Sequence, residues 1–379
     1  MILKRPFYEA AAKRALERNP ICAVLGPRQC GKTTLARQIA GRRKEVHFFD
    51  LESFADRARL SNPELVLERL RGLIIIDEIQ RMPELFTILR PLADRRRKLA
   101  RFLILGSAAP ELLRNASESL AGRIGFVDMS GFNLSETGER FLRRLWLRGG
   151  FPRSFLASSD QASLEWRLDF IRGFLETDIP RLGLRIPAEA LRRFWMMTAH
   201  YHGQVWNAAE LARSLGVNEK TTRHYLDLLS AAYVMRQLQP WHENIAKRQN
   251  KSPKIYIRDS GLFHALLSIE RQSNLEAHPK FGASWEGFAM EQILARIGPR
   301  NAYYWGTHAG AELDLLFFHA GRRYGVEFKC ADAPVMTKSL HVALSDLRLD
   351  QAWIVYPGKK SYPVHERVEV MPLSQWRAP

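Results

Sequence analysis

The chain has 379 residues, 46% of them hydrophobic, which is material for two or three domains with real cores. No apolar run approaches the ~20 residues that span a bilayer, and Met1-Ile2-Leu3-Lys4-Arg5-Pro6 lacks the apolar stretch of a signal peptide. Lys and Arg number 57 against 40 Asp and Glu, and a formal net charge of +17 attracts polyanions, nucleic acid first among them, without conferring specificity. Residues 6–18 predict a short amphipathic helix. Ile21 to Leu25 follows as a buried strand that carries Cys22. With Cys30 and Cys330 it makes three scattered cysteines without disulfide or metal-ligand spacing, which suits free thiols in a reducing cytoplasm.

The next nine residues carry the chemistry. Gly26-Pro27-Arg28-Gln29-Cys30-Gly31-Lys32-Thr33-Thr34 reads G-x-x-x-x-G-K-T between a strand and the helix that begins around Leu35. The glycines let backbone N–H groups converge on phosphate oxygens, and the helix N-terminus adds its positive end. Lys32 is expected to reach the β- and γ-phosphates of ATP, and the Thr33 hydroxyl to hold Mg²⁺. Val46 to Leu51 is a second strand and residues 62–71 a helix. Leu73-Ile74-Ile75-Ile76 then ends in Asp77-Glu78, the Walker B pattern. A central parallel strand is buried on both faces and reads as continuously apolar. Its carboxyl end is where α/β sheets bind ligands. Asp77 is a candidate for Mg²⁺, and Glu78 for the general base that polarises water.

Pro83 to Arg97 predicts a helix, Arg101 to Ser107 a strand, Pro110 to Leu120 a helix, and Ile124 to Met129 a fifth strand. Five strands alternating with helices predict a doubly wound α/β domain.

The phosphate loop, Ile76-Asp77-Glu78-Ile79-Gln80, Gly106-Ser107, Ser119-Leu120-Ala121-Gly122-Arg123 and Gly149-Gly150-Phe151-Pro152 together resemble prokaryotic AAA+ family ATPases over nearly the whole chain. The resemblance implies strand order 5-1-4-3-2, Ser107 as the polar residue that positions water near the γ-phosphate, and assembly through the ATP sites, as in a hexamer-type ring. Arg123 is then a candidate for completing a neighbouring subunit's γ-phosphate site. The competing reading is a structural arginine paired with the Walker B neighbourhood. Residues 130–185, helical and rich in Arg and Phe, take the place of the AAA+ lid.

Asn207-Ala208-Ala209-Glu210 has the form of a helix N-cap with an acid three residues on. The helices it opens, 210–215 and 219–229, are separated by Gly216-Val217, with Asn218 as the second cap. This is helix-turn-helix spacing. Strands at 234–238 and 255–257 then make a winged helix-turn-helix. Lys220, Thr221, Arg223 and His224 are placed to reach bases or phosphates, and Lys247, Arg248, Lys251 and Lys254 of the polar hairpin loop to contact adjacent backbone. A winged helix used for protein contacts has the same pattern.

From about residue 260 the chain resembles the family's C-terminal domain, which looks like the restriction-endonuclease-like fold. Asp314 lies on one strand, and Glu327 and Lys329 on one face of the next. Glu286 lies on a preceding helix. In a PD-(D/E)-x-K arrangement, Asp314 and Glu327 share Mg²⁺, Glu286 joins them and Lys329 activates water or steadies the leaving phosphate. Leu313 stands where that motif has Pro, and a degenerate domain that kept the fold and lost cleavage fits as well.

The expectation is therefore an α/β AAA+ P-loop core over 1–130, a helical lid over 131–187, a winged helix-turn-helix over 188–260 and a nuclease-like α/β domain over 261–379. Such a cytoplasmic, oligomeric protein would hydrolyse ATP with Mg²⁺ and couple it to DNA. The alternative is a nucleotide-dependent switch in a signalling or toxin–antitoxin-like system, with the winged helix as protein adaptor.

Overall fold

The computed structural model describes residues 3–95, 100–107, 118–181, 186–244, 246 and 249–379. The chain divides into two compact units. One is Met1–Phe132 with Ala231–Tyr233, the other Asn133–Ser230 with Val234–Pro379.

The first unit is built on five parallel strands: β1 Ile21–Gly26, β2 Val46–Asp50, β3 Gly72–Asp77, β4 Ala100–Ser107 and β5 Ile124–Asp128. Their order is β2-β3-β4-β1-β5, the expected 5-1-4-3-2 read from the other edge. The inner strands are apolar without interruption because both faces are covered. Ile21 to Leu25 and Leu73 to Ile76 have no solvent exposure. Of the helix expected over Pro110–Leu120, residues 110–117 lie outside the described residues. That expected over Pro83–Arg97 is formed as Leu85–Ala93, and Arg96 and Arg97 lie outside.

Gly26 is required by the packing of this sheet. A Cβ there would stand 2.0 Å from the Met129 carbonyl oxygen, because the chain leaving β5 crosses directly over it. Gly31 has a different reason. Its φ of +100° turns the loop into the helix Lys32–Ala40, a conformation open to glycine and costly to other residues.

The second unit begins with helices, among them the short Leu142–Arg148 and the longer Asp160–Gly173 and Ala188–His200. Two strands, β7 Met235–Leu238 and β8 Lys254–Ile257, follow the helices Ala208–Leu215 and Glu219–Ala231. With β6 Gln204–Val205 they form an antiparallel sheet of order β6-β8-β7. Asn207 and Asn218 cap the two helices, their Oδ1 atoms accepting from Glu210 N (3.3 Å) and Thr221 N (2.8 Å).

A six-stranded mixed sheet completes the unit, in the order β13-β14-β12-β11-β10-β9. Its strands are β9 Ala302–Gly306, β10 Glu312–His319, β11 Arg322–Phe328, β12 Gln351–Tyr356, β13 Tyr362–His365 and β14 Val368–Pro372. The helix Phe281–Ile297 packs on it through Trp285, whose indole N–H donates to Val355 O (3.2 Å).

The connection between β7 and β8 departs from a free wing. Trp241 N donates to Tyr304 O (2.7 Å), Tyr304 N to Gln239 O (3.0 Å) and Asn250 N to Gly306 O (3.0 Å). The Trp241 ring lies against Phe318 and Tyr303, with centroids 4.7 and 5.2 Å away. The segment runs along β9 because Trp241 is an apolar ring that the sequence pattern hid within a polar loop. Of the hairpin cations, Lys251 is exposed and Lys254 is buried at 3% exposure; Lys247 and Arg248 lie outside the described residues. Placing Lys254 in the polar loop is thereby corrected: it is the first residue of β8.

Candidate functional site

The carboxyl ends of β1, β3 and β4 meet at the phosphate loop. Lys32 is 5% exposed, and its Nζ donates to the carbonyls of Pro27 (2.9 Å) and Gly26 (3.2 Å). Thr33 Oγ1 donates to Asp77 Oδ2 at 2.6 Å, so the loop hydroxyl and the acid closing β3 already face each other. Asp77 Oδ1 accepts from Glu78 N (3.0 Å). Burial raises the Asp77 pKa against the opposing pull of the Thr33 hydrogen bond and the Lys32 charge. Glu78 is likewise raised by burial, with Lys32 opposing.

Glu78 adopts φ +55°, ψ 46°, a left-handed conformation that costs a non-glycine residue about 1–3 kcal/mol. Its Oε2 accepts from the Gln80 amide. Ser107 closes β4 beside Gly26 in register, and its Oγ is buried with no hydrogen-bond partner among the described residues. Arg28 Nη2 pairs with Glu52 Oε1 at 3.0 Å.

Arg123 stands elsewhere. Its carbonyl accepts from Ile21 N (3.2 Å), at the amino end of β1. The phosphate loop leaves the carboxyl end of that strand, about 17 Å away by strand rise. Its guanidinium does not pair with the Walker B neighbourhood, as one sequence reading had it, but with Asp94.

Sequence reasoning missed Arg5. Its side chain is 2% exposed, and Nη1 donates to Cys30 O in the phosphate loop (3.0 Å). Nη2 donates to Ser130 O (3.0 Å) and Gly131 O (2.8 Å), just beyond β5. No local pattern reports an arginine whose partners lie so far along the chain.

The second unit gathers a second set of charges. Glu286, Asp314, Glu327 and Lys329 come together, and the structure adds Lys254, Tyr256 and Glu312. Lys254 Nζ pairs with Asp314 Oδ1 (3.4 Å), Glu286 Oε1 (3.5 Å) and Glu312. Tyr256 OH donates to Glu286 Oε1 (2.7 Å), and Phe328 N to Asp314 Oδ2 (3.0 Å). Lys329 Nζ pairs with Glu327 Oε1 (2.8 Å), while Glu327 Oε2 is buried with no hydrogen-bond partner among the described residues. Burial, with Asp314 adding to it, raises Glu327 to about 8 against the Lys329 charge. Burial raises Glu286 to about 7 against the Lys254 charge. Burial alone would lower the Lys254 pKa; Glu286, Tyr256, Asp314 and Glu312 hold it well above its ordinary value. Among the described residues, no three His, Cys, Asp or Glu side chains close on one point as metal ligands do. Asp314 and Glu327 each face an ammonium, that of Lys254 and that of Lys329.

On the helix Glu219–Ala231, Lys220, Arg223 and His224 are exposed. Thr221 is half-buried, its hydroxyl turned to Asn218 Oδ1 (3.0 Å).

Residues 18–138 match the family described as "AAA domain", residues 139–273 "Domain of unknown function (DUF8612)" and residues 281–376 "Domain of unknown function (DUF4143)". Two relatives are each 51% identical over 375 residues, 99% of this chain and 85% of theirs. They are "Uncharacterized protein Rv2008c" of Mycobacterium tuberculosis and "Uncharacterized protein Mb2031c" of Mycobacterium bovis. The chain belongs to their family, an AAA+ ATPase family. A solved structure, "The walker-type atpase paby2304 of pyrococcus abyssi", is similar in fold. Its TM-score is 0.51 at 15% identity, covering 70% of this chain and 96% of that one. No helix among the described residues of this AAA+ family member is long and apolar enough to cross a membrane.

Proposed function

We propose that this AAA+ protein hydrolyses ATP at a site completed by a second copy of the chain. The observation that carries this reading is the Thr33–Asp77 hydrogen bond beside Glu78, at a loop whose Lys32 is held by its own backbone carbonyls. A hydroxyl and a carboxylate facing each other suit a hard divalent ion. Thr33 and Asp77 would hold Mg²⁺, which when bound neutralises charge on the β- and γ-phosphate oxygens. Lys32 exchanges its two carbonyl partners for phosphate oxygens. Glu78, its pKa raised by burial, accepts a proton from the attacking water, and Ser107 Oγ orients that water. Arg123, at the opposite end of its own sheet from the phosphate loop, serves the neighbouring copy's site. The test is phosphate release with Lys32→Ala as the blank. Turnover equal in wild type and blank sinks the proposal.

We further read the protein as acting on DNA, through Lys220, Arg223 and His224 of the helix Glu219–Ala231. The net charge of +17 supports this reading. ATP turnover measured with several DNA structures tests the coupling. The docking of Gln239, Trp241 and Asn250 on β9 and its neighbour favours a second reading, a protein adaptor, because those residues are taken up by the sheet. DNA-independent turnover with no salt-dependent DNA affinity would select it. The cluster of Glu286, Asp314, Glu327 and Lys329 supports phosphodiester chemistry in the second unit. Cleavage in Mn²⁺ that survives Asp314→Ala would remove that assignment.

A further inference from the structure

Arg5 is fastened at both its backbone and its side chain. Its carbonyl accepts from Glu9 N (2.9 Å) and so closes the first turn of the helix Pro6–Arg18. Its guanidinium is buried against the rings of Tyr8 and Phe132, 4.7 and 5.0 Å from their centroids. There Nη1 donates to Cys30 O, and Nη2 to Ser130 O and Gly131 O. One rigid, charged fork thus ties the phosphate loop to the chain that leaves β5. That chain is itself held, because Met129 N donates to Leu25 O (2.7 Å) and Ser130 N to Tyr8 OH (3.2 Å).

The loop end of this clamp falls on a peptide that sterics leave free. Gly31 has no Cβ and stands at φ +100°, so local crowding does not fix the Cys30–Gly31 plane. The peptide is trans, and a trans peptide points its carbonyl and its N–H in opposite directions. Holding Cys30 O on Arg5 therefore turns the Gly31 N–H to the side away from Arg5. Backbone amides of such a loop are the groups that cradle phosphates. Lys32, the other side chain that holds loop carbonyls, gives them up to phosphate in the proposed reaction. Arg5 is buried on protein groups and keeps its own.

We propose that Arg5 is a positioning residue of the ATP site, which sets the Cys30–Gly31 peptide so that the Gly31 N–H is presented to the β-phosphate. It touches neither nucleotide nor metal and acts through the loop backbone. The inference rests on the reading of the loop as an ATP site, and adds to it a side chain outside the G-x-x-x-x-G-K-T pattern.

The test is the affinity of the full chain for a fluorescent ADP analogue in Mg²⁺, by anisotropy, well below the melting transition and with circular dichroism to show that each variant is folded. Arg5→Met, which keeps length and removes every donor, is expected to bind ADP at least about tenfold more weakly than wild type, about 1.4 kcal/mol. Arg5→Lys, which keeps a charge but not the planar fork, is the second variant and is expected to lose at least about threefold. In turnover the KM for ATP should rise by the same factors with kcat within about threefold, because the contact is made before the reaction and during it alike. A role confined to stability does the opposite: it lowers the active fraction, and with it kcat, and leaves KM and ADP affinity alone. Tyr8→Phe removes the hydroxyl bonded to Ser130 and leaves the Cys30 contact, so it should bind ADP as wild type does. Wild-type ADP affinity in the Arg5 variants, an equal loss in Tyr8→Phe, a fall in kcat at unchanged KM, or failure of both Arg5 variants to fold overturns the proposal. Lys32→Ala keeps the two readings apart. If wild type binds ADP and Lys32→Ala does not, the ATP site stands and the Arg5 variants alone decide this inference; if wild type binds no better than Lys32→Ala, both are lost.

Discussion

The Arg123 guanidinium meets the Asp94 carboxylate in two parallel hydrogen bonds, Nε to Oδ1 at 2.6 Å and Nη2 to Oδ2 at 2.8 Å. A carboxylate presents the same two-oxygen edge as a phosphoryl group, and the planar fork matches either. Asp94 thus engages Arg123 through the Nε/Nη2 edge of its guanidinium. Arg123→Ala is expected to cut ATP turnover about 10³-fold, the low end for an arginine supplied to a phosphoryl site. Mixing Arg123→Ala with Lys32→Ala chains should restore part of the activity, because one chain keeps the loop and the other the arginine. Phosphate release across mixing ratios checks this, and mixtures as inactive as their parents would refute service in trans.

Glu78→Gln separates binding from chemistry. The amide keeps the shape of the side chain and cannot accept the proton, so hydrolysis should fall about 10²–10⁴-fold. Affinity for a fluorescent ATP analogue should stay within about threefold, since Lys32 and the loop amides are intact. The pH profile supplies an independent check. Burial raises the Glu78 pKa, so the acid limb of turnover should lie above the pH where an ordinary glutamate titrates.

The DNA reading has a quantitative signature. Lys220 and Arg223 are exposed on the helix Glu219–Ala231. If each contacts one phosphate, replacing either by Ala should lower the slope of log K against log salt by about 1. Fluorescence anisotropy from low to moderate salt measures it. A slope unchanged in the double variant would take this helix out of the DNA contact.

Glu327 gives a stability prediction with a definite sign. Its folded-state pKa is raised to about 8, above the ordinary 4.5, so between those values the folded chain binds more protons than the unfolded one. This group therefore favours the folded state at low pH, and that contribution is lost as pH rises from 4.5 through 8. Glu327→Gln, which removes the titration, should raise the Tm relative to wild type more at pH 8.5 than at pH 5. Metal-free buffers keep the comparison clean. An equal difference at both values would contradict the shift.

Much of the first unit was legible because its constraints are local. A phosphate turn needs Gly31 at positive φ, and a doubly covered strand needs four consecutive apolar residues before Asp77. Both constraints appear within a few letters. The strand order came from the resemblance, since nothing in β1 or β4 says which strand lies beside which. What remained hidden was set by partners distant in sequence. Arg5 reads as one more basic residue until its guanidinium meets Cys30, Ser130 and Gly131. Lys254 reads as a loop cation because its neighbours are polar, and its burial depends on acids that arrive from Glu286 onward. The Glu327-x-Lys329 alternation showed which residues share a face, but not that Lys329 would turn to Glu327 itself.

The chain at Gln239, Trp241 and Asn250 has a consequence for solubility. β9 is the last strand on its side of the six-stranded sheet, and an outer strand offers a row of unpaired amides and carbonyls to any other extended chain. The passing segment takes up the backbone groups of Tyr304 and Gly306 and covers the neighbouring rings with Trp241. It acts as a selvedge, finishing the sheet so that it does not continue into another molecule. Shortening this connection would leave β10 and β11 intact and still yield a protein that self-associates through β9.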